Sequence, residues 1–371
     1  MTLDPRTYND FVVPRISFLL VIILTLLLLT SIDSQAAPIK PPIEVKVVVV
    51  AMYESGALSG DNPGELQLWV ERLKLNQAFP FELGEYELRM NNQDVLGIVL
   101  GGGIANATAS IMALGLDPRF DLTNAYWLIA GIAGADPADM SLGSAAWARW
   151  VIDGDLLYEI DGREIPGDWK YGFVPLGGRR PADKPEDIYT GWTVNTIAFE
   201  LNQSLVEWAF QLTKDTHIPD GEGIAEYRQL YKGYPKATLP PFVTLGETLS
   251  ASTYWHGELM NRWANDWIKL YSHREGRKTE MNFMTSNMED SGTLTGLHRL
   301  ARKKLVNPDR ILVLRTASNY TMPPPGKDAA WSTTAPYPDG GYPAKNAAFL
   351  VGNVVVQELL THWEKYKAKT P

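Results

Sequence analysis

The sequence predicts a single α/β domain, and three observations carry that prediction. Val45 to Met52 (VKVVVVAM) and Tyr126 to Ala130 (YWLIA) are apolar runs with the bulk and brevity of fully buried strands. Val95 to Leu100 is a similar run that ends in Gly101-Gly102-Gly103. From Ala105 the spacing becomes helical, with Ile111, Met112 and Leu114 apolar and Gly115 placed as a C-terminal cap. Strand, glycine turn, helix and strand in that order make a βαβ unit, so parallel pairing is expected.

The remaining elements follow in order. Residues 1–36 contain Arg6, Arg15, an apolar run of 14 residues from Ile16 to Leu29, and Ser34-Gln35-Ala36. The run is short of the roughly 20 residues of a spanning helix, and the small residues suit a cleavage site. Residues 1–36 therefore read as a secretory signal peptide cut after Ala36, with an uncleaved anchor as the alternative. Residues 37–371 form the mature domain, expected to be soluble and exported, periplasmic or extracellular. Tyr86 to Met90 reads as an edge strand and Ala145 to Asp153 as a buried one. Residues 161–190, rich in Pro, Gly and charge, read as a surface excursion. Trp192 to Lys214 spaces its apolar residues by three and four, as an amphipathic helix does. Phe242 to Leu245 reads as a short strand, Gly257 to Tyr271 as a helix, Ile311 to Thr316 as a late buried strand, and Ala347 to Tyr366 as a closing helix.

Composition narrows the function classes. A formal charge of −9 argues against a nucleic-acid partner, which needs a basic face. Without cysteine there is no disulfide framework and no thiol nucleophile. The five histidines lie far apart without metal-ligand spacing, so neither a metal nor another cofactor is expected.

Four stretches hold candidate chemistry. In YWLIAGIAGADP the strand is read as breaking at Gly131 and Gly134, where backbone can turn sharply or come close to a ligand. The same residues also read as a plain strand-to-loop turn. Glu54 and Ser55 follow the first strand. Glu289 and Asp290 precede Leu294 and Leu297; being adjacent, at most one can enter a pocket, and both also suit the first turn of a helix capped by Ser286 or Asn287. Ser318 and Asn319 follow the ILVLRT strand, and Tyr254-Trp255 offer a stacking wall.

Taken together, AMYESGALSGDNPGE (51–65), LGLDPRFDLTNAYWLIAGIAGADP (114–137), SASTYWHG (250–257) and MTSNMEDSGT (284–293) resemble the purine nucleoside permease family. The resemblance implies a three-layer nucleoside phosphorylase-like fold, with a twisted mixed central sheet flanked by helices. It also implies roles. Glu289 would hold the two ribose hydroxyls, with Met288 under the sugar. Tyr254 would stack on the base, and Trp255 would meet the base edge with its backbone. Ser318-Asn319 stands where related enzymes have Ser-Asp; an amide can hydrogen-bond purine N7 but cannot deliver a proton. Glu54 lies one residue from the position of a water-activating glutamate. Where phosphorylases hold phosphate with an arginine and a serine, this chain has Ile129 and Ile132, which offer an oxyanion neither charge nor donor.

The expected function is purine nucleoside binding for uptake. The alternatives are N-ribosyl hydrolysis or phosphorolysis, hydrolysis being favoured of the two, and non-catalytic storage. Because no mature segment reads as able to span a bilayer, uptake implies delivery to a membrane transport partner. Related folds are commonly homo-oligomers.

Overall fold

The computed structural model describes residues 41–182, 184, 188, 194–274 and 281–371. Residues 1–36, read above as a signal peptide, lie outside the described residues, as do parts of the 161–190 excursion and Trp192. Pro42–Pro371 forms one compact unit.

Ten strands make the central sheet: β1 (Val47–Ala51), β2 (Gln77–Phe79), β3 (Leu88–Met90), β4 (Val95–Val99), β5 (Tyr126–Ala135), β6 (Ala145–Asp153), β7 (Ala198–Glu200), β8 (Val243–Ser250), β9 (Phe283–Asn287) and β10 (Ile311–Tyr320). The order is β7-β6-β8-β9-β5-β1-β4-β3-β2, and β10 bridges β5 and β6. The βαβ pairs are parallel as expected: β1 lies between β4 and β5 with all three aligned. The whole sheet is mixed, because β9 runs antiparallel to β5 and β10 antiparallel to β6. Pairing β6-β8-β9-β5-β10 and back to β6 closes a ring of five strands, whose shared pivot is β5.

The helices are α1 (Gln67–Arg72), α2 (Ile104–Gly115), α3 (Gln203–Thr213), α4 (Glu222–Arg228), α5 (Glu258–Arg274), α6 (Asp290–Ala301), α7 (Tyr342–Thr361) and α8 (Trp363–Ala368). α7 packs on β10 and β5, with α1 against it through Trp69 and Phe349, ring centroids 5.0 Å apart. α2 packs on α6. None of the helices in the described residues is long and apolar enough to cross a membrane.

Several expectations need correction. β5 does not break at Gly131: it continues through Gly134 to Ala135, paired with β10 along its length. β10 likewise continues through Asn319 to Tyr320 rather than turning after Thr316. The helix expected from Trp192 begins only at Gln203, capped by the Asn202 side chain, which accepts from Ser204 N and Leu205 N. Ala198–Glu200 just before it is a strand on the edge of β6. Gly115 is the last residue of α2, not a cap beyond it, and it is small because Leu300 of α6 packs against it.

Candidate functional site

The carboxyl ends of β1, β5, β9 and β10 meet around one cavity of about 360 Å³. This is where open α/β sheets place ligands, since strand ends there give way to loops that can carry chemistry. The walls combine Met52, Tyr53, Ile132, Tyr254, Met288 and Tyr337 with the polar side chains of Glu65, Glu289, Ser318 and Asn319. An apolar cavity holding a few convergent polar groups is the form of a small-molecule site.

Glu289 enters the cavity from the turn between β9 and α6. Asn287 fixes that turn: its Oδ1 accepts from Glu289 N at 3.1 Å and from Asp290 N at 2.9 Å. The two adjacent carboxylates then part. Glu289 lines the cavity, and Asp290 is fully buried against Arg315 of β10. Glu289 accepts only long backbone bonds, from Gly103 N at 3.3 Å and Met288 N at 3.2 Å, so its oxygens keep acceptor capacity for a ligand. Burial pushes its carboxyl above the ordinary glutamate value, against the opposing pull of Arg315.

A second carboxylate, Glu65, closes the cavity floor. Its Oε2 accepts from Met52 N and its Oε1 from Ile132 N, each at 2.7 Å. Burial raises its carboxyl to about 7; Arg315 lowers it and Glu289 raises it further. Arg315 is itself engaged by Asp290 and by backbone. Its guanidinium grips both oxygens of Asp290, donates to Ile132 O at 3.1 Å, and lies 3.8 Å from Glu289. Three carboxylates thus surround one buried guanidinium, so Arg315 is not available to an anionic co-substrate. Arg180, on the surface, pairs with Asp168.

On the opposite wall Asn319 donates from Nδ2 to the Tyr254 hydroxyl at 3.0 Å, while its Oδ1 accepts from Ser318 at 3.0 Å. Tyr254 is 62% exposed, an aromatic face open at the cavity mouth. Tyr337, from the segment before α7, also lines the cavity, and burial raises its hydroxyl pKa.

The structure therefore brings together Tyr254, Met288, Glu289, Ser318, Asn319 and Gly134. Gly131 stands just behind: a Cβ there would meet Arg315 Nη1 at 2.6 Å and Glu65 Oε1 at 2.8 Å, so the glycine makes room for that pair. The side chain of Trp255 is not among the lining groups; it packs inward on Trp263 and Phe283. Glu54 is not in the cavity either. Its oxygens accept from Gly64 N, from Leu66 N at 3.1 Å and from Gln67 N at 2.8 Å. The acidic group expected at position 54 is supplied in the cavity by Glu65, eleven residues later. Glu65 closes the 51–65 block, but only the loop's return path brings it beneath β5. Tyr53 and Tyr337 had no signal beyond their aromatic character.

The model of the purine nucleoside permease family matches residues 44–371. A probable purine nucleoside permease of Schizosaccharomyces pombe is 31% identical over 315 residues, covering 82% of this chain and 86% of that protein. A purine nucleoside permease of Candida albicans is 31% identical over 283 residues, covering 75% and 67%. Among solved structures, a 5'-methylthioadenosine/S-adenosylhomocysteine nucleosidase of Helicobacter pylori superposes with a TM-score of 0.51 at 14% identity, over 85% of this chain and 99% of that one. A futalosine hydrolase of the same organism gives 0.50 at 14%, over 85% and 98%. At that identity the likeness is one of fold, and it fits the nucleoside phosphorylase-like architecture expected above. On the strength of the family match and its relatives, the chain belongs to the purine nucleoside permease family.

Proposed function

We propose that this protein captures purine nucleosides outside the cell membrane and hands them on for uptake. The observation that carries the reading is the placement of Glu289 in an otherwise largely apolar cavity. A carboxylate with free acceptor positions suits a vicinal diol, because charged acceptors make the stronger hydrogen bonds. Met288 then lies under the sugar, Tyr254 offers a face to the base, and Asn319, whose Nδ2 donates to Tyr254 and to Tyr320 O, would turn its Tyr254 bond to N7. The relatives' names as purine nucleoside permeases support the ligand class. The signal-like character of residues 1–36 supports export. That no helix among the described residues is long and apolar enough to cross a membrane is what motivates delivery to a membrane partner.

One observation favours a second reading, N-ribosyl hydrolysis. Glu65 faces the cavity with a carboxyl near 7, where a general base works best at neutral pH. Phosphorolysis is disfavoured, since Ile132 lines the site and Arg315 is held by Asp290.

Equilibrium dialysis of the protein against inosine, guanosine and adenosine, followed by chromatography for free base with and without phosphate, tests both. Retention of intact nucleoside is the expected result. Free base without phosphate would establish the hydrolase reading, and no retention of any nucleoside would sink both.

A further inference from the structure

We propose that Glu54 is a positioning residue whose task is to aim Glu65 into the cavity. The inference rests on the reading of that cavity as the nucleoside site, but its geometry is independent of any ligand. Glu65 lies at the end of a long loop between β1 and α1, and loops are ordinarily the mobile part of a fold. This loop is tied down at both sides of Glu65. Glu54 accepts from the backbone N–H of Gly64, Leu66 and Gln67, so the peptide planes flanking residue 65 have little freedom. From the other direction, the buried ammonium of Lys345 on α7 donates to Pro63 O at 2.7 Å. Glu65 N donates back to Tyr53 O at 3.0 Å, closing the loop on itself.

Gly64 belongs to the same device. A Cβ there would run into the Glu54 carboxylate and its Cα, so the clamp closes only over glycine. With the backbone fixed, the Glu65 side chain reaches the two N–H donors of Met52 and Ile132 that hold it beneath Gly131. The Glu54 carboxylate hydrogen-bonds to backbone N–H groups of the loop and, among the described residues, to no side chain lining the cavity, although its charge bears on the neighbouring Tyr53. Its hold on Glu65 therefore runs through the loop backbone.

The test uses the full chain with ¹³C-labelled glutamate, following the side-chain carboxyl resonances by NMR as a function of pH. The resonance of Glu65 is the one near 7 that disappears in Glu65→Gln. In Glu54→Gln an amide NH₂ must face backbone N–H donors, so the clamp opens and the Glu65 titration falls toward the ordinary glutamate value by about one unit or more. Gly64→Ala separates the same contact without changing charge and is expected to move the titration the same way. Glu54→Asp keeps both acceptor oxygens and is expected to stay nearer the wild type.

Inosine affinity should fall in Glu54→Gln and Gly64→Ala, because a displaced Glu65 alters the cavity wall that it lines. An unchanged Glu65 titration in both folded variants would overturn the proposal. If Glu54→Gln does not fold, Gly64→Ala decides alone. If the wild type binds no nucleoside, the binding reading fails while the NMR titration still decides the role of Glu54.

Discussion

At the scale of residues, the site turns on how three carboxylates share one guanidinium. Asp290 takes the direct ion pair with Arg315, and both are almost wholly buried. Breaking such a pair from one side costs about 3–5 kcal/mol, so this pair is a fixed floor and not a ligand anchor. Glu65 and Glu289 are left facing the cavity. Glu65 has a direct consequence for stability. Its carboxyl is raised from 4.5 to about 7 in the fold, so between those values the native state holds a proton that the unfolded chain has released. This contribution is fully present below about 4.5 and is lost as pH rises through about 7, at most about 3 kcal/mol. Glu65→Gln is therefore expected to flatten the fall in Tm between pH 5 and pH 8 measured by calorimetry. Parallel curves for the two proteins would show that Glu65 does not titrate there. Adjacent Glu289 and Asp290 were legible as a pair of which one could enter a pocket. Which one entered depended on Arg315, a contact 25 residues away in sequence that no local pattern reports.

At the scale of elements, the apolar runs were legible, whereas the carboxyl ends of β5 and β10 and the start of α3 were not. β1, β4, β5 and β6 sit where β-branched and aromatic runs predicted them, since a fully buried strand needs little more than bulk and brevity. Gly131 and Gly134 were read as a break because glycine is the commonest signal of one. In a strand buried on both faces, glycine reports instead that something from another element comes close. At Gly131 that something is the Arg315 guanidinium and the Glu65 carboxylate, 2.6 and 2.8 Å from where a Cβ would sit. Gly131→Ala should accordingly destabilise the protein by about 1–3 kcal/mol, read from its urea midpoint, and weaken nucleoside binding. Gly134→Ala should cost less, because the nearest atom to its Cβ would be Ser286 Oγ at 3.0 Å, a side chain able to yield. An equal or larger cost at Gly134 would contradict this account of the strand. The misplaced start of α3 has a similar origin: Ile197 and Leu201 fit a helical stripe, but Ala198–Glu200 pairs with β6 and Asn202 caps the true start.

At the scale of the whole molecule, family and fold were legible in the sequence blocks, and the site only in part. Tyr254, Met288–Glu289 and Ser318–Asn319 lie far apart in sequence, yet they converge because β9 and β10 both pair with β5 at Gly134, through Ser286 and Asn319, and β8 ends beside β9 with Ser250 opposite Asn287. Glu65 was missed because its place depends on a loop clamp and not on spacing. The fold resembles that of nucleosidases, while the chain belongs to a family named for permeation. Under the proposed function, a carboxylate with acceptor capacity at Glu289, an amide at Asn319 and an Arg315 already paired with Asp290 would reconcile the two as capture of an intact nucleoside. The most direct measurement is calorimetric titration of residues 37–371 with inosine, guanosine and adenosine, wild type beside Glu289→Ala. The account predicts binding by the wild type and a loss of about 1.5–3 kcal/mol in the variant. Equal affinity in the two proteins would contradict it.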